Sequence, residues 1–100
     1  MAESWQLIVR TPEGILLEVS TSWVHAELIN GGISIYPRHA PLIGETMAGP
    51  LRYRAEDGNE RSIWLQPGIL RVERGRVTVL TPGPLTEGVS TQPSRSTGET

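Results

Sequence analysis

The residues of this 100-residue chain best suited to chemistry are two histidines, His25 and His39. Imidazole titrates near neutrality and can act as a general base, and two imidazoles can share a metal ion. The spacing favours neither. There is no HxH or HxxxH arrangement, and there is no cysteine to serve as a thiolate or a further ligand. No carboxylate or serine lies beside His39 in a recognisable motif, so a small enzyme built on His39 is the weakest reading. A loop histidine that bonds a backbone carbonyl to hold its turn, or one that touches a partner, fits better. The run Glu56-Asp57-Gly58-Asn59-Glu60 holds carboxylates that could do acid–base work. Its D-G core between two apolar segments instead marks a solvated hairpin tip. Nucleotide binding finds no support. There is no GxxxxGK[ST] and no GxGxxG opening a helix, and Gly31-Gly32 is better explained as a turn. No metal or cofactor is expected.

Contact residues are easier to nominate. The segment from Gly31 to Ile43 predicts a short strand that enters a stiff loop between Pro37 and Pro41. Both prolines fix φ, and each drives the residue before it toward an extended shape. The loop is pre-shaped and carries Arg38 and His39, which suits it to meeting a partner. On the flanking strands, alternation places Trp23, Tyr36, Trp64 and Ile69 opposite the aliphatic positions, which makes them candidates for an interface. A one-residue slip of register would reverse that assignment. If the chain stands alone, Trp23, Trp64 and Tyr36 would line one shallow patch for a peptide or a glycan.

The elements that must position these residues are strands. Residues 5–11 alternate Trp5, Leu7 and Val9 against Gln6, Ile8 and Arg10. Segments 15–20, 23–29, 33–36 and 42–47 follow, punctuated by Pro12-Glu13-Gly14, Asn30-Gly31-Gly32 and the proline loop. Gly49-Pro50 is expected to end the segment 42–47. Segments 51–54 and 61–65 predict one hairpin; 68–73 and 76–81 predict another around Arg74-Gly75. No window carries a useful helical stripe. The fold class is therefore all-β, a β-sandwich of about nine or ten short strands. With no Phe, its core must come from Ile, Leu and Val with two or three large aromatics.

Residues 1–83 are expected to form this sandwich. Residues 84–100, rich in Pro, Gly, Ser and Thr with only Leu85 and Val89 apolar, are expected to be a disordered tail. The net charge of −2 and nine scattered basic residues argue against a general nucleic-acid or polybasic membrane surface. No apolar run approaches the ~20 residues of a membrane helix. The first residues lack the pattern of a signal peptide.

Three blocks carry a family resemblance. Gly31 to Ile43 is similar to the G-x-x-G-I-x-P-G-H-A-P-L pattern of the epsilon subunit of F-type ATP synthases, called delta in mitochondria. Leu7 to Gly14 resembles that family's opening strand and turn. Gly68 to Val72 followed by Val77 to Leu80 resembles its last hairpin. The blocks keep the family's order and spacing across residues 5–81. Gly32 stands where the family usually has an acidic residue, and Ser34, Arg38 and Pro67 replace usual glycines. The resemblance implies a non-catalytic central-stalk subunit that couples rotation to ATP turnover without a cofactor. It would be peripheral, on the cytoplasmic face of a bacterial inner membrane. It also implies a c-ring-facing group of Thr11, Gly31, Gly32, Pro37, Arg38, His39, Ala40 and Pro41. A gamma-facing group would draw on Trp23, Tyr36, Trp64 and Ile69. The family's two C-terminal helices have no counterpart in the pattern after Pro84.

Overall fold

A computed structural model describes residues 3–85. Nine strands follow in order: β1 (Trp5–Thr11), β2 (Gly14–Thr21), β3 (Val24–Leu28), β4 (Gly31–Ile35), β5 (Leu42–Thr46), β6 (Gly49–Arg54), β7 (Glu60–Leu65), β8 (Gly68–Glu73) and β9 (Arg76–Leu80). They hydrogen-bond in the order β2-β1-β9-β8-β5-β3-β6-β7, with β4 on the free side of β3. All pairs are antiparallel except β1 with β9, which run parallel from Gln6↔Arg76 to Arg10↔Leu80.

This one sheet curls into two layers, β2-β1-β9-β8-β5 and β4-β3-β6-β7. The fold-over lies where β5 passes to β3, a pairing that rests on the single register position Leu28↔Thr46. Two backbone bonds flank that point, Ile29 N–H to the Glu45 carbonyl (3.0 Å) and Met47 N–H to the Glu27 carbonyl (2.9 Å). The other side closes after β9. Gln66 N–H donates to the Gly83 carbonyl (3.0 Å), Pro84 bridges Leu65, and Leu85 N–H donates to the Trp64 carbonyl (2.9 Å). Pro84 and Leu85, the first two residues of the expected tail, are therefore held against β7. The rest of that tail lies outside the described residues.

Alternation fills the core as expected. Trp5, Leu7 and Val9 of β1 face Val24, Ala26 and Leu28 of β3, with Ile35, Leu51, Leu70, Val72, Val77 and Val79 completing one cluster. Burying one such aliphatic side chain is worth about 1.5–3 kcal/mol. The large aromatics inside are Trp5 and Tyr53. The strand before Gly49-Pro50 ends at Thr46, while the pair itself opens β6 instead of lying between strands. Gly49 sits at φ 150°, and Pro50 stands near the strand's first residue, where a missing donor is tolerated.

Each end of the sandwich is tied across the layers by one buried threonine. At the end where β1 begins, Thr21 Oγ1 donates to the Arg54 carbonyl (2.7 Å) and accepts from the Arg54 and Trp23 N–H groups (3.1 and 3.3 Å). At the end where β1 finishes, Thr81 Oγ1 donates to the Gln66 carbonyl (2.8 Å) and accepts from Gly83 N–H (3.3 Å). The second end is also packed backbone to backbone. A Cβ on Gly68 would collide with the Leu80 carbonyl oxygen, and Gly68 N–H donates to Thr46 Oγ1 at 2.8 Å.

Candidate functional site

The proline loop connects β4 to β5 at the end where β1 begins. His39 N–H closes a turn onto the Tyr36 carbonyl (3.0 Å). Its Nδ1 donates to the Ala40 carbonyl at 2.7 Å, so the histidine does hold its own turn. Arg38 is the one described non-glycine residue with positive φ, at 77°. An L-residue there carries about 1–2 kcal/mol of steric strain that glycine avoids. Its guanidinium meets the Glu3 carboxylate at 2.7 Å, with both side chains more than half exposed. Behind the loop lies a cleft of about 550 Å³ walled by Glu3, Trp5, Pro37, His39, Pro41 and Arg74. Trp5 Nε1 is buried with no acceptor among the described residues.

The expected ring-facing group does not stay together. Pro37, Arg38, His39, Ala40 and Pro41 sit with the start of β1. Thr11 ends β1, beside the Pro12-Glu13 turn, where Oγ1 donates to the Gly14 carbonyl (3.1 Å). Gly31 opens β4 opposite Leu28, at the fold-over. The two subsets lie at opposite ends of the sandwich, about 20 Å apart by the length of the seven-residue β1. Sequence order hid this. Gly31 and Pro37 are close in sequence, but strand β4 runs the length of the body between them.

The expected interface aromatics divide too. Ile69 lies on the outer face of the five-stranded layer, opposite Leu80 and beside Glu45, with Ile43 nearby. Trp23, Tyr36 and Trp64 belong to the other layer. Tyr36 is 59% and Trp64 53% exposed. Trp64 faces Pro50 at the start of β6, whereas Trp23 adjoins Arg54 at its end. The single shallow aromatic patch is therefore absent. Trp23 is also occupied by its own neighbours: it stacks on His25 (6.2 Å between centroids, 28°), and the Arg54 guanidinium lies 5.7 Å from its ring centre.

The hairpin tip behaves as a solvated turn. Asp57 accepts from Asn59 N–H (2.9 Å) and pairs with Arg61 (2.7 Å). The backbone bond from Asn59 is the main reason its carboxyl is held below the ordinary value of 3.8, with Arg61 assisting.

One cluster was not anticipated. His25 lies between Glu27, two residues on along the same face, and Ser34, its direct cross-strand partner. Nδ1 is 2.9 Å from Ser34 Oγ and Nε2 is 2.9 Å from Glu27 Oε2. The signal was present in the sequence. Alternation puts residues 25 and 27 on one face, and a two-residue turn at Ile29-Asn30 fixes 25 opposite 34. No group of three His, Cys, Asp or Glu residues able to hold a metal occurs among the described residues.

The architecture is thus a curled all-β sandwich whose candidate contact residues fall at its two ends and on its outer faces. Residues 4–83 match the family described as ATP synthase, Delta/Epsilon chain, beta-sandwich domain, and the chain belongs to that family. It is similar to the ATP synthase epsilon chain of Carboxydothermus hydrogenoformans, with 40% identity over 80 residues. That match covers 80% of this chain but 59% of the relative, so the chain spans little more than half of its length. Two solved structures share the fold at 15% identity. One is a chain of the Euglena gracilis mitochondrial ATP synthase OSCP/F1/c-ring, with TM-score 0.75, covering 85% of this chain and 55% of that one. The other is from the Tetrahymena thermophila mitochondrial ATP synthase central stalk/c-ring, with TM-score 0.65, covering 80% and 64%.

Proposed function

We propose that this chain is a non-catalytic epsilon-type subunit of a rotary ATP synthase. In this reading it docks on gamma and the c-ring at the cytoplasmic face of a bacterial inner membrane and helps pass rotation to the catalytic head. Membership in the delta/epsilon β-sandwich family carries the reading. The physics agrees with it. Two packed layers tied at both ends make a stiff body, which a torque-bearing wedge needs. The candidate contact residues lie at the ends, where a wedge meets its neighbours.

Because the two subsets of the ring-facing group lie at opposite ends, only one can rest on the ring. The end with the Pro12-Glu13 and Ile29-Asn30 turns is the better support. It is closed by close backbone packing at Gly68, and it presents Ile29 and Met47 more than half exposed. The proline loop then belongs with gamma, because Tyr36 leads directly into it and Trp23 stands at the same end.

The test is disulfide or photo-crosslinking in the enzyme reassembled with gamma and c-ring of the same source. Asn30→Cys is expected to link to the ring and Ala40→Cys to gamma. The reverse pattern would overturn the assignment of the ends. A chain that never co-purifies with gamma would overturn the stalk reading as a whole.

A further inference from the structure

We infer that Ser34 is an activated hydroxyl and the preferred site on this surface for acylation by reactive esters. This does not depend on the stalk reading. An ionised carboxylate can only accept hydrogen bonds, so His25 must donate to Glu27 through Nε2–H. In the neutral imidazole Nδ1 is then left with a lone pair, and the group 2.9 Å away that can fill it is the Ser34 hydroxyl. The proton order is serine O–H to imidazole nitrogen, and imidazole N–H to carboxylate. In that order a base is aimed at a nucleophile and oriented by a third group.

The surroundings keep the order in place. Trp23 stacks on the imidazole and restrains its plane. Gly32, the cross-strand partner of Glu27, leaves the room the pair needs. A Cβ there would sit 3.1 Å from both Glu27 carboxylate oxygens and from His25 Nε2. Ser34 itself is exposed, on strand β4, which pairs with β3 alone. Its open flank admits a reagent. Ser62, on the same outer face beyond Arg52, has no histidine beside it and serves as an internal control.

The step is an acyl transfer to the chain itself. The Ser34 hydroxyl proton passes to His25 Nδ1 as Oγ forms a bond to the ester carbonyl carbon. The bond from that carbon to the leaving oxygen breaks, and p-nitrophenolate departs with the electron pair. The imidazolium proton returns to solvent.

The full chain is treated with p-nitrophenyl acetate at mildly alkaline pH, and esters are mapped by peptide mass spectrometry. A positioned base contributes on the order of 10²–10⁴-fold, so an exposed, unshielded one should give Ser34 at least roughly tenfold the rate of Ser62. His25→Gln should bring Ser34 to the Ser62 rate. Glu27→Gln and Gly32→Ala should each slow it several-fold while circular dichroism and the Ser62 rate stay unchanged. Equal rates at Ser34 and Ser62 would overturn the inference. So would an unaltered Ser34 rate in His25→Gln, or acetylation of imidazole with no ester at Ser34.

Discussion

The two ends of this sandwich are closed by the same device and differ in what surrounds it. Thr21 and Thr81 each bury one hydroxyl that ties a strand end in one layer to the chain of the other. Around Thr81 the backbone is in direct contact, with Gly68 against Leu80. Around Thr21 the loops stand apart, leaving the cleft behind Pro37–Pro41 and a strained arginine at its rim. One end is tight and the other is open. The difference teaches that the closing bond does not set the character of an end; the residue allowed to approach it does.

Gly68→Ala tests this contrast most severely. A methyl cannot enter without parting β8 from the end of β9, so a loss of about 3 kcal/mol or more is expected in urea denaturation. A loss under about 1 kcal/mol would mean the tight end is not tight. Next come Thr81→Val and Thr21→Val. Each removes a hydroxyl bond from part-buried backbone groups, at about 1–3 kcal/mol. Comparable losses are expected, since the hydroxyls do the same work. A loss confined to Thr81→Val would show that water satisfies the open end.

Arg38→Gly should act in the opposite direction. Relief of left-handed strain gives about 1–2 kcal/mol. Against it stand about 0.4–1 kcal/mol of unfolded-chain entropy and an exposed ion pair worth about 0.2–1 kcal/mol. A gain of at most a few tenths of a kcal/mol (about 0.2) is expected in melting studies, and a clear loss would show that the Glu3 pair matters more than the strain.

The smallest effect is at the hairpin tip beyond the open end. Asp57 has its folded pKa depressed, so its contribution is present above the unfolded value of 3.8 and is lost as pH falls below it. Asp57→Asn should therefore lower stability slightly at neutral pH and match the unsubstituted chain well below pH 3.8, which flattens the dependence of stability on pH. A loss of equal size at neutral pH and well below pH 3.8 would point to packing instead.

Most of the strand pattern was legible because alternation is a local signal. The segments 5–11 and 68–73 were legible to the residue, and the core faces of β1 and β3 followed from period two. His39's bond to its own loop was legible from the chemistry of a proline turn. The division of Thr11 and Gly31 from the proline loop was not. It depends on where the sheet folds over, at Leu28 and Thr46, and no local preference marks that point. Ile69 points outward as alternation predicts but lies on the other layer from Trp23, Tyr36 and Trp64, because alternation tells inside from outside but not one layer from the other. The Ser34–His25–Glu27 chain lay between these cases, because it needed only a hairpin register. The strained Arg38 was visible only as a departure from a glycine in the family pattern.

The parallel pairing of β1 with β9 has a consequence for how the chain is made. Of the nine described strands, the first to be made needs the last as a neighbour. Until residues 76–80 emerge, β1 can pair with β2 alone, and that hairpin exposes its apolar face with Leu7 and Val9 uncovered. Two-stranded hairpins are at best marginal in water. The domain cannot fold progressively from its N-terminus; it must wait and then close in one late event. Folding dominated by such distant pairing falls in the millisecond-to-second range. A nascent chain halted before β9 should therefore be protease-sensitive throughout, where one released past Leu85 should not.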